Sequence, residues 1–218
     1  MMRDVNHFYE NPKVITFDPS NKDVIDIHLY DSSIVMQQTT DQNLNATTLT
    51  AISRVLGTSS TNISEACSIR FTLANDGHST SSSSSSTSST ISRKIANVKN
   101  CLVVLAWPST TPAHDLPAVN LRFLQQMKNN HIHRSELTGS SFSTRSLSIH
   151  ADALDISLTN IFVLEKLEAF IDVGGGDISF TNLNASNNAV INAHTNRGSV
   201  MVVMAQDVDL QFEQAEGA

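Results

Sequence analysis

Apolar residues recur at every second position along much of this chain, the pattern of strands that bury one face and leave the other to water. Val14–Phe17 and Val24–Leu29 read as short strands separated by the turn-rich Asp18-Pro19-Ser20-Asn21-Lys22, and Ile34–Met36 continues them. Cys67–Leu73 alternates in the same way until Asn75-Asp76-Gly77 ends it. Asn100–Trp107 is instead a nearly continuous apolar run, which predicts a fully buried strand, with Pro108 and Pro112 bracketing its exit. Val119–Met127 alternates again through Val119, Leu121 and Phe123. One stretch departs from the rule. In Asn45–Leu56 the residues Leu49, Ile52 and Leu56 fall at i, i+3 and i+7 and Gly57 supplies a stop, so one short helix is expected near 45–56.

The alternation becomes periodic between Leu147 and Val203. Asp155-Ile156-Ser157-Leu158-Thr159-Asn160-Ile161 recurs 22 positions later as Asp177-Ile178-Ser179-Phe180-Thr181-Asn182-Leu183, with five of seven positions identical. A fainter copy follows at Ser199–Ala205. Ahead of each copy lies another alternating segment: Leu147-x-Ile149-x-Ala151, Ala169-x-Ile171-x-Val173 and Ile191-x-Ala193-x-Thr195. The turns between the two segments are Asp152–Asp155, Gly174–Asp177 and Asn196–Ser199, where glycine permits positive φ and Asp or Ser can bond freed backbone amides. A second corner falls at Thr159-Asn160 and Thr181-Asn182. Strands and corners at a fixed period of this length mark a β-solenoid, whose coils bury their inward faces only by stacking. Stacking should set Ile156 over Ile178 over Val200, and Leu158 over Phe180 over Val202, at about 4.8 Å per step. An antiparallel sandwich with look-alike hairpins is the competing arrangement. Val208, Leu210 and Phe212 still alternate beyond the third copy and suit a capping strand.

The order of strand, Gly-Asp-Ile corner, short strand and Asn-containing corner resembles the adhesin repeats of β-helical surface proteins. Gly176-Asp177-Ile178 matches that motif, Gly198-Ser199-Val200 matches it loosely, and Leu154-Asp155-Ile156 lacks the glycine. The resemblance covers about residues 145–205. It implies a right-handed β-helix and a protein or glycan partner at a cell surface, and it carries no functional residues across.

Composition agrees with an all-β chain. Charged residues make up only 16% of the 218, and Ser, Thr and Asn take their place, which suits strands and loops better than long helices. From Ser79 to Thr90 every residue is Ser or Thr, and such a tract cannot offset its ordering entropy by burying apolar area, so 79–90 is expected to be a disordered loop. The net charge of -7 argues against a sequence-independent nucleic-acid binder. No run of about 18 apolar residues suggests a membrane span, and Met1–His7 lacks an apolar secretory core. Cys67 and Cys101 lie in strand-like runs and are compatible with a disulfide or with two buried thiols.

Few constellations suggest chemistry. At a strict period His150, Asp172 and His194 would share one outward column, and imidazoles flanking a carboxylate could favour zinc. The histidines would be roughly 9.6 Å apart, however, and a solvent-facing polar ladder accounts for them as well. No metal, cofactor or catalytic residue is therefore expected. His131-Ile132-His133 has no third ligand at a suggestive spacing. Asp152, Asp155 and Asp177 invite comparison with carbohydrate-active β-helix enzymes that use surface carboxylates, but all three sit at corners. Gly174-Gly175-Gly176 precedes neither a helix nor a Lys-Ser/Thr pair and is not a phosphate loop. The sequons at Asn45, Asn62 and Asn184 matter only if the chain is secreted. The expectation is thus a single β-solenoid domain over 1–218, clearest at 147–203, serving as a non-catalytic surface module that can also self-associate.

Overall fold

A computed structural model describes residues 7–21, 23–30, 32–40, 45–57, 69–75, 101–124 and 135–205. The expected loop at 79–90, the His131–His133 pair, the segment around Val208–Phe212, Cys67 and Asn62 lie outside these residues. Among the described residues the protein is all-β and has no α-helix. Its strands are β1 (His7–Thr16), β2 (Asp23–Tyr30), β3 (Ser32–Thr39), β4 (Thr48–Gly57), β5 (Ile69–Asn75) and β6 (Cys101–Pro108). They continue with β7 (Ala118–Leu124), the long β8 (Ser135–Gly175), β9 (Ile178–Ala185), β10 (Val190–Thr195) and β11 (Val200–Met204).

Most of these strands pair in parallel. Among the described residues, antiparallel pairing is confined to β1 with β4, β4 with β6, and β2 with β5. The repeats therefore do not form hairpins. Strand β8 meets several partners because it bends: Ser141 and Asn160 take φ of 53° and 54° and turn the chain where one pairing stops and the next begins. Its residues 137–140 pair with β3, 146–151 with β7, 156–163 with β9, and 166–171 with β10. Ile156 pairs with Ile178 and Ile178 with Val200, while Leu158 pairs with Phe180 and Phe180 with Val202, at the predicted spacing of 22.

The core follows from these registers. Ile25, Val119 and Leu147 form one inward row, and Ile27, Leu121 and Ile149 the next, all nearly or fully inaccessible. Trp107 is wholly buried among them, edge-on to Phe142 at 5.3 Å, with its indole Nε1 donating to the Ser143 carbonyl at 2.9 Å. As the continuous apolar run suggested, β6 is buried along almost its whole length.

The expected helix near 45–56 is instead strand β4. Leu49, Ala51 and Ser53 are buried with a period of two, Thr48 is buried at its start, and it is held between β1 and β6. The helical spacing of Leu49, Ile52 and Leu56 is coincidental. Thr48, Thr50, Ile52 and Val55 are β-branched and favour the extended chain.

Corner residues form ladders of their own. The Asp155 carboxylate accepts the Asp177 amide at 2.9 Å, and the Asp177 carboxylate accepts the amide and hydroxyl of Ser199 at 2.8 and 2.9 Å. At the other corner Asn160 and Asn182 share φ of 54°, and the Asn182 side-chain amide donates to the Asn160 side-chain oxygen. Asparagine tolerates this left-handed conformation better than most residues. Each repeat thus satisfies backbone groups in its neighbour.

Candidate functional site

Residues pointing outward from β2, β7, the 146–151 and 166–171 spans of β8, and β10 share one broad face. The registers arrange them in three columns running across the strands. The first holds Val24, Ala118, Ser146, Lys166 and Val190, and the second holds Asp26, Asn120, Ser148, Glu168 and Asn192. The third holds His28, Arg122, His150, Phe170 and His194. Five parallel strands separate the outer members of a column by about 19 Å.

The third column revises the expected His150, Asp172, His194 alignment. His194 pairs with Phe170, and the His150 and Phe170 rings stack at 5.4 Å with an interplanar angle of 20°. His194 tilts against the other side of Phe170 at 6.5 Å. Asp172 is two positions further along, exposed at the corner. The cause is a longer corner: six residues, 172–177, join Ile171 to Ile178, whereas four, 152–155, join Ala151 to Ile156. On this face the successive offsets are therefore 20 and 24, and only their sum keeps the 22-residue average. Ala169 pairs with Ala193 and Ile171 with Thr195, not Ala169 with Ile191, and Val173 is 62% exposed. Among the described residues no group of three or more His, Cys, Asp or Glu is placed to hold a metal ion.

The second column holds two hydrogen-bonded groups. Asn120 donates to Asp26 at 2.5 Å, and Ser148 and Asn192 donate to the two Glu168 carboxylate oxygens at 3.4 and 3.3 Å. Lys166 reaches Glu168 at 2.6 Å. Burial by itself would raise the Glu168 pKa, but the hydrogen bonds from Lys166, Asn192 and Ser148, with the Lys166 charge, outweigh it and hold the carboxyl below its ordinary value.

Between the first two columns runs a groove of about 590 Å³ reaching from Val24 to Val190. Arg145 lines it although only 7% of the residue is exposed. Its guanidinium donates to the Asp23 carbonyl at 3.0 Å, while its buried Nε–H has no hydrogen-bond partner. The buried Oδ1 of Asn120, also lining the groove, lacks one too.

Of the other candidate residues, Asp155 and Asp177 are engaged in the corner ladder, and Asp152 is exposed at the first corner. Asn45 and Asn184 are exposed, Asn184 on β9. Cys101 is disulfide-bonded. Asn120, Arg145, Lys166, Glu168 and Phe170 carry no signal in the corner-anchored repeat. Aligning the apolar triplets Leu147-x-Ile149-x-Ala151 and Leu167-x-Ala169-x-Ile171, instead of the corners, would have brought Ser148 beside Glu168 and His150 beside Phe170.

Fold and face together define an all-β protein of stacked parallel strands bearing a broad polar surface. Comparison with protein-family models, curated proteins and solved structures returns no match. Among the described residues no helix is long and apolar enough to cross a membrane.

Proposed function

We propose that the chain is a right-handed β-solenoid serving as a non-catalytic, adhesin-like binding module at a cell surface. The observation that carries this reading is the outward face: three columns of side chains repeated across five parallel strands, dominated by hydrogen-bonding groups. A surface with one chemistry repeated along its length suits an extended partner. The corner aspartates support the same reading, because Asp155 and Asp177 accept backbone amides of the next coil and are committed to holding the stack. The disulfide at Cys101 fits an oxidising, extracellular setting.

Surface plasmon resonance on immobilised polysaccharides and matrix proteins tests the proposal. Saturable binding that Ser148→Arg and Asn192→Arg abolish, without release of shortened product, is the expected result. Binding insensitive to both substitutions, or cleavage of the immobilised polymer, would overturn it.

A further inference from the structure

We infer that the groove over β2, β7, β8 and β10 is a subsite for a neutral, hydroxyl-rich glycan chain lying across the strands. This rests on the binding-module reading above and names its ligand class.

Two buried polar atoms lie in residues that line the groove. Arg145 Nε–H is a donor without an acceptor, and Asn120 Oδ1 is an acceptor without a donor, both in residues that line the same groove. The amide orientation of Asn120 is fixed by chemistry, since the carboxylate of Asp26 can only accept and so draws the NH₂ side. Leaving buried polar groups unpaired is unfavourable, so these two atoms, which have almost no accessible surface as the groove stands, gain if their side chains turn them toward a ligand that supplies both a donor and an acceptor. An alcohol hydroxyl is at once donor and acceptor, and a sugar carries such groups in adjacent pairs.

Charge narrows the class. The lining holds Arg145 and Lys166 against Glu165 and Glu168, so its formal charges balance. An anionic ligand would suit Arg145 but face the two carboxylates and the bare Asn120 oxygen. A cationic one would meet the reverse conflict. A neutral polyol meets neither.

Geometry favours a polymer. The groove crosses five strands, each about 4.8 Å from the next, a step close to the length of one pyranose unit. Each sugar of a linear chain would rest over a new strand with a new member of the polar columns beneath it. The His150, Phe170 and His194 rings face one another along their column, and His150, which lines the groove, is stacked on Phe170 and offers no free platform on that side.

Isothermal titration of the full chain with three oligosaccharide sets of matched length tests the inference: neutral N-acetylglucosamine, mannose and glucose oligomers, acidic oligogalacturonate, and cationic glucosamine oligomers. At least one neutral oligomer should bind. Ser148→Phe, which fills the groove from an outward strand position, should weaken that binding at least tenfold, and Arg145→Lys should weaken it severalfold. Ser157→Phe, on a different face, should leave it unchanged, and thermal melting would confirm that each variant folds. Preference for the acidic or cationic set, or neutral binding indifferent to Ser148→Phe, overturns the inference. If no oligosaccharide binds yet the chain still binds matrix proteins saturably through Ser148 and Asn192, the ligand class falls and the module reading stands. Failure on every surface removes both.

Discussion

Gly176 lies where one repeat's corner touches the next, and a Cβ there would come within 1.9 Å of the Leu154 carbonyl oxygen. The backbone cannot yield locally without disturbing the Asp155 to Asp177 bond beside it. Gly176→Ala should therefore lower stability by about 3 kcal/mol, the upper range for forced overpacking, as read from urea unfolding. Asp177, the next residue, receives two hydrogen bonds from Ser199. Asp177→Ala should cost about 1 kcal/mol, whereas Asp177→Asn keeps an acceptor oxygen and should retain most of that. Glu168 gives a pH signature. Its carboxyl titrates below its ordinary value when folded, so it stabilises the fold above the unfolded pKa and that contribution vanishes as pH falls through the folded value. Unfolding of wild type and Glu168→Gln should differ at pH 7, and the gap should close as the pH is lowered below about 4.

Strands respond according to their place in the stack. Leu158 and Phe180 are fully buried, with neighbouring strands on either side of Phe180, whereas Val202 on β11 is only half-buried. Phe180→Ala should cost about 3–5 kcal/mol and Val202→Ala about 1 kcal/mol, measured by the same unfolding assay. The Leu158, Phe180, Val202 row was legible in the sequence because its apolar members and its corners repeat together at one spacing. The neighbouring face was not legible in that way. There the corner and the strand disagree by two residues, and an alignment anchored on Gly-Asp-Ile carries Asp172 into a place that Phe170 occupies. Strand β4 was misread for a related reason: three apolar residues fit a helical spacing by accident, and the pairing with β1 and β6 that overrules them is remote in sequence. Arg145 and Asn120 had no local signal at all, because their role depends on chain segments from Asp23 to Glu168 meeting in space.

At the scale of the molecule, one end of the parallel stack is formed by β10 and β11, where Val190, Val200, Met201 and Val203 are all between 44% and 51% exposed. The Cys101 disulfide lies far along the sheet from that end, separated from β9 by β3 and β8. A thiol assay on the unfolded, unreduced chain should find no reactive thiol from Cys101, and reduction should lower the melting temperature. The longer corner at 172–177 has a wider implication, because adjacent residues of a strand face opposite sides. Such a corner can gain or lose residues only in pairs if the strand beyond is to keep its apolar side inward. Deleting Val173 and Gly174 together should leave a folded chain with a corner of the same length as its neighbours. Deleting Val173 alone should drive the downstream strands out of register, visible as lost cooperativity in circular-dichroism melting. Parity, more than length, is what a duplicated segment of this kind must conserve as its copies diverge.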